Sequence, residues 1–198
     1  MNAIAAESQR EELGIFAERF MHFMNLWTIY RDLLSKHYVP SIGPELTEAN
    51  VSTFDKKEFP VAITMMLVLY SYFYSLIEDS EDGLNGFRIW LEVWPSESTP
   101  ISAVESRISP FRNRLRVFRN RLGFHGSRNR DREEAGFELF NKHSGTEVFE
   151  AIKLFKSLGA ALFAMDMATR SNDPHELARA RAWIDSVTSK ATAMAKTG

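Results

Sequence analysis

Between residues 16 and 34 the large apolar side chains recur at a spacing that suits a helix and nothing else. Phe16, Phe20, Phe23, Trp27, Tyr30 and Leu34 follow one another at intervals of 4, 3, 4, 3 and 4. At 3.6 residues per turn all six share one face, and that face needs an apolar partner. The pattern predicts a helix over about Ser8 to Lys36, stopped by Pro40 and by Gly43 with Pro44. Nowhere does the chain show the two-residue alternation of a half-buried strand, so the expected fold class is all-α.

A partner for that face follows in the chain. Phe59 to Ile77 is 19 residues long and carries no charge, the length at which a membrane span has to be considered. Thr64, Tyr70, Ser71, Tyr72, Tyr74 and Ser75 are a heavy polar load for a lone anchor. A helix buried in protein is therefore expected, with Pro60 as its first residue and no membrane association. Glu78, Asp79, Glu81 and Asp82 read as a solvated turn, and Asp82 with Gly83 leads into a short helix from Leu84 to Val93. Trp94 to Pro100 reads as a connector. Ser98 or Thr99 is expected to cap a short helix beginning at Pro100, and Ser109 with Pro110 to restart it as a helix reaching Leu122. Ile108, Phe111, Leu115, Phe118 and Leu122 would face the core.

Gly123 and Gly126 bracket a turn, Asp131 with Glu134 suggests a capping box for a helix to about Lys142, and His143 to Gly145 ends it. Thr146 to Thr169 is expected as a long helix with Val148, Ile152, Phe155, Leu162 and Met165 inward. Asp173 and Pro174, with Glu176, open a last helix to about Ala195. The expected architecture is a helical bundle of four to five main helices with short extra ones, a single domain over residues 1–198.

Cysteine is absent, which excludes disulfides and thiolate metal sites and suits a reducing cytoplasm. The N-terminal residues lack the apolar core of a signal peptide. Charge is the informative property. From Arg107 to Arg132 there are nine arginines, no lysine and one acid, Asp131. That segment carries +8 in a chain of net charge −2, leaving −10 for the rest. Such a concentration points to a local anion site rather than a general nucleic-acid coat, and arginine favours paired hydrogen bonds to phosphate oxygens. Arg112, Arg116 and Arg119 lie along one flank of the apolar stripe. The plainer reading is a solvated face whose arginines pair with acids such as Glu78, Glu81 or Asp82. A further reading lets one of these acids assist an active site.

Within this segment the stretch from Phe118 to Ser127 contains Arg119, Asn120 and His125. It resembles the signature of the HEPN superfamily: an arginine, often followed by a polar residue, with a histidine a few residues on. The resemblance implies a small helical bundle that dimerises and cuts RNA without a metal ion or cofactor, two copies of the motif meeting at the interface. It also implies the setting of toxin–antitoxin or phage-defence systems, with a nucleotidyltransferase-like antitoxin as partner. The similarity is close at the motif and loose over the helical layout.

The bare pattern is weak, since 16 arginines and 5 histidines in 198 residues produce about one match by chance. Two more copies exist, Arg31 with His37 and Arg170 with His175. Context favours Arg119: Asn120 adjoins it, it ends a helix, and His125 sits between two glycines. The residue types suit the chemistry, because RNA carries its own nucleophile in the 2′-hydroxyl. His125 could then move protons near neutral pH and Arg119 could stabilise charge on the phosphoryl oxygens. Asn120 would orient phosphate or imidazole, while Arg112, Arg116, Arg121, Ser127 and Arg128 would hold substrate. Transesterification wants both a base and an acid, which one histidine per chain cannot supply at once and a homodimer can. The expected function is a metal-independent endoribonuclease, the alternative a non-catalytic module binding RNA or a protein partner. The acids at 78–82 fail as a calcium loop, because Ile89 stands where a glutamate is needed.

Overall fold

Phe16, Phe20, Phe23, Trp27 and Tyr30 are all buried, each at most 4% exposed, along helix α1 (Ala3–Ser35). The computed structural model describes residues 3–35, 58–80, 83–119 and 145–195. Among the described residues there are five further helices: α2 (Glu58–Ser75), α3 (Gly86–Val93), α4 (Ser98–Phe118), α5 (Gly145–Ser171) and α6 (Pro174–Ala195). No strand occurs among them, and the only bridge is an isolated antiparallel pair, Ile77 with Asn85. The fold class is all-α, as the spacing of apolar residues requires.

The chain divides into two compact units. One comprises Met1–Gly86 with Phe111–Phe149, the other Phe87–Pro110 with Glu150–Gly198. In the first, α1 packs on α2, with the Phe23 and Phe73 rings 5.6 Å apart and Trp27 stacked at 4.5 Å on Phe149. Leu69, Tyr70, Phe73 and Tyr74 of α2 are buried, as are Leu76 and Ile77 just after it, so α2 supplies the partner that α1 needs. None of the described helices is long and apolar enough to cross a membrane. In the second unit the Phe87, Trp90 and Phe155 rings form one cluster, with Phe87 edge-on to Trp90 at 5.6 Å and to Phe155 at 5.3 Å. Ala180, Ile184, Val187 and Ala191 form the buried stripe of α6.

Helix α4 departs from the sequence expectation. It begins at Ser98, directly after a 3-10 turn over Pro95–Glu97, and continues through Pro110 without restarting. A proline inside a helix costs about 3 kcal/mol or more through the lost N–H bond and ring crowding. Ile101, Val104, Ile108 and Leu115 stay in helical phase on both sides of it, and all are buried. Burying side chains of this size contributes about 1.5–3 kcal/mol each, enough to offset the proline. Helix α2 already includes Glu58 and Phe59 among the described residues, so Pro60 is not its first residue. Helix α3 starts at Gly86, two residues later than expected.

Candidate phosphate site at the end of helix α4

The loop between α2 and α3 is closed tightly. Leu76 and Ile77 N–H groups donate to the Phe73 and Tyr74 carbonyls at 3.0 and 3.1 Å, ending α2. Gly86 N–H donates back to the Leu76 carbonyl at 2.8 Å, next to the Ile77–Asn85 bridge. Glycine is required at 86: a Cβ there would stand 2.5 Å from the Phe16 ring and 3.0 Å from the Leu76 carbonyl. Gly83 N–H donates to the Ser80 carbonyl at 2.9 Å, and Asp82 lies outside the described residues. Glu78 and Asp79 therefore emerge from a short segment whose two ends are pinned to each other.

Both acids meet arginines, Arg112 within α4 and Arg119 directly after it. Arg119 Nη1 donates to Glu78 Oε2 at 2.6 Å, and Arg112 Nη1 to Asp79 Oδ2 at 3.3 Å. Asn85 Nδ2 donates to the other Asp79 oxygen at 3.3 Å. The Arg119 and Glu78 side chains are 32% and 26% exposed. Their pair lies between a solvated surface contact, worth about 0–1 kcal/mol, and a buried one whose desolvation cost is large. The Arg119 guanidinium also lies over the Tyr74 ring, 5.6 Å from its centroid, in cation–π range. Tyr74 itself is 4% exposed. Burial pushes the Tyr74 phenol up from its ordinary value, the Glu78 charge adds to this, and Arg116, Arg119 and Arg112 oppose it. Tyr74 is thus a neutral, fixed platform at physiological pH.

Arg112 and Arg116 lie on α4 and Arg119 directly follows it, and Arg116 is exposed with no ion pair among the described residues. Two of them pair with acids, as the plainer reading has it: Arg119 with Glu78, named there, and Arg112 with Asp79, while Glu81 and Asp82 lie outside the described residues. Asn120, Arg121, His125, Ser127 and Arg128 lie outside the described residues, as does the segment from Asp131 to Lys142. Of the other two copies, His37 lies outside the described residues, and Arg31, Arg170 and His175 have ordinary local settings. Arg31 bonds to its neighbour Asp32 at 3.1 Å, and Arg170 to Asp166 one turn earlier on α5 at 2.8 Å. His175 opens α6, its N–H bonded to Asp173 Oδ1 at 2.9 Å. Among the described residues no three His, Asp or Glu side chains are grouped to hold a metal ion.

In the sequence Tyr74 stands out only as part of the polar load of its segment. Its one signal was position, four residues before Glu78 at the end of a helix that has to be buried. Chemically, the arrangement offers an oriented guanidinium against an aromatic face, a second arginine one carboxylate away, and an exposed third between them in sequence. It can receive an anion such as a phosphodiester. No protein family model, curated protein or solved structure matches the chain.

Proposed function

We propose that this chain is a HEPN-like, metal-independent endoribonuclease acting as a homodimer. Arg119 stabilises charge on the scissile phosphate, His125 transfers protons and Asn120 orients the phosphate or the imidazole. Arg112, Arg116, Arg121, Ser127 and Arg128 steady the RNA. The observation that supports this best is Arg119 itself: its guanidinium is oriented on Tyr74 at the end of α4, in a segment of nine arginines that continues directly into Asn120 and His125. A toxin or phage-defence role in the cytoplasm, with a nucleotidyltransferase-like antitoxin, belongs to the same proposal. The ion pairs to Glu78 and Asp79 support a second reading, a module that binds RNA or a protein partner without turnover, because each one neutralises an arginine.

In the reaction the RNA 2′-hydroxyl attacks its neighbouring phosphorus as one histidine takes its proton. The 5′-oxygen leaves with a proton from the histidine of the second protomer, and a 2′,3′-cyclic phosphate remains. Cleavage should persist in EDTA, and DNA, lacking the 2′-hydroxyl, should survive. His125→Ala should lower the rate by about 10²–10⁴, the usual worth of a general acid–base group. Arg119→Ala should lower it by about 10²–10³. His37→Ala and His175→Ala should cut like wild type. Loss of cleavage in His37→Ala with His125→Ala intact would move the site to the other copy. Salt-sensitive RNA binding with no cleavage by any form would establish the binding module instead.

A further inference from the structure

An arginine at a helix end has many rotamers, and ordering it costs up to about 2 kcal/mol of side-chain entropy. Arg119 is nevertheless held on two sides. Its guanidinium carbon lies over the Tyr74 ring, 5.6 Å from the centroid, and Glu78 takes one Nη at 2.6 Å. Neither contact consumes what a phosphate would use. The cation–π contact is an attraction of the whole charge for the ring, and Glu78 engages a single nitrogen of a group with five donors. Arg119 makes no other ion pair among the described residues. The holders are themselves fixed. Tyr74 lies in the buried last turns of α2, and Glu78 leaves a loop closed by the Gly86–Leu76 hydrogen bond and the Ile77–Asn85 bridge.

We propose that Tyr74 and Glu78 are positioning residues that hold the Arg119 guanidinium ready for the scissile phosphate, an inference that rests on the ribonuclease reading above. The same pair could act with the opposite sign, as a carboxylate competing with phosphate for Arg119. A competing anion would be expected to take the paired, two-nitrogen edge that phosphate takes, and Glu78 takes one nitrogen.

The full chain would be compared as wild type, Glu78→Gln, Tyr74→Leu and, as a control at the Glu150–Lys153 ion pair within α5, Glu150→Gln. Two readouts are needed: steady-state cleavage of a single-stranded RNA oligonucleotide, and the Arg119 Nε–Hε resonance, assigned by its loss in Arg119→Lys. In wild type that resonance should be shifted upfield by the Tyr74 ring, and in Glu78→Gln and Tyr74→Leu it should return to the position of a free arginine. Glu78→Gln should lower kcat by about 10- to 100-fold, the scale of a small misplacement of a catalytic group, with KM changed less than about threefold. Its melting temperature should stay close to wild type, and Glu150→Gln should change nothing. Faster cleavage by Glu78→Gln would overturn the proposal in favour of competition, and unchanged kcat would overturn it outright. If wild-type chain cuts no RNA, the ribonuclease reading falls. The resonance then decides the socket by itself: shifted supports it, unshifted removes it.

Discussion

Tyr74 carries two roles in one side chain, a face for a cation and a phenol that folding keeps protonated. Burial, then the charge of Glu78, raises its pKa above the ordinary value of 10.0. The folded chain therefore holds this proton at a pH where the unfolded chain has released it. The stabilisation is complete below about pH 10 and is lost as pH rises through the higher folded value. Tyr74→Phe keeps the ring under Arg119 and removes the ionisable group. Urea denaturation followed from about pH 9 to 11 should show stability falling less steeply in Tyr74→Phe than in wild type. Tyr72, also raised by burial, leaves part of the slope in place. Parallel curves for the two proteins would show that Tyr74 is not the linked group. Gly86 acts at the same scale by subtraction: lacking a Cβ, it lets the Phe16 ring lie against the loop that presents Glu78 and Asp79.

At the scale of elements, α5 and α6 show how two helices are joined with two residues. Asn172 has φ 54°, a left-handed conformation that an amide side chain tolerates better than most. Its N–H donates to the Thr169 carbonyl at 3.3 Å and that of Asp173 to the Ala168 carbonyl at 3.0 Å, the paired bonds of a Schellman close. Asp173 then caps α6, its Oδ1 accepting from the His175 and Glu176 N–H groups at 2.9 and 3.1 Å. Asp173→Ala should cost about 1 kcal/mol, the worth of a lost N-cap. Asn172→Val should cost about 1–2 kcal/mol through its Cβ in the left-handed region, while Asn172→Gly should be neutral or better. Chemical denaturation of the three variants would check this, and an unaffected Asn172→Val would contradict the turn geometry. Helix α4 teaches the complementary point. A Ser–Pro pair reads as a helix start, yet buried residues before and after Pro110 keep one helix in phase.

For the whole molecule, charge and stoichiometry bear on function together. The +8 segment sits in a chain of net charge −2, so attraction for RNA should be local and strongly weakened by salt. If two copies complete the reaction, the chain should be a dimer at tens of micromolar, a concentration ample for an interface of ordinary size. Light scattering should give about twice the chain mass of 22.7 kDa. A monomer at that concentration would remove the second histidine from the proposed reaction, and with it the argument for symmetric acid–base transfer.

How much of this was legible beforehand follows from how far each signal extends along the chain. Helical spacing repeats over several turns in α1 and α5, and α2 is a long uncharged run, so these helices, the burial of the α1 and α5 stripes and the all-α class could be read directly. The Asp173–Pro174 start of α6 was equally local, a capping residue before a proline. The arginine concentration, too, is a property of the string itself. Partners across the fold are different. Glu78 to Arg119 spans 41 residues and Asp79 to Arg112 spans 33. Which acid meets which arginine depends on how α2 ends, how Gly86 closes the loop on Phe16, and whether α4 survives Pro110. Tyr74 became the platform for Arg119 only because tertiary packing fixed a buried ring beside a helix end. Residue type and periodicity determined the helices and the candidate chemistry, and the closure of one short loop decided which side chains hold Arg119.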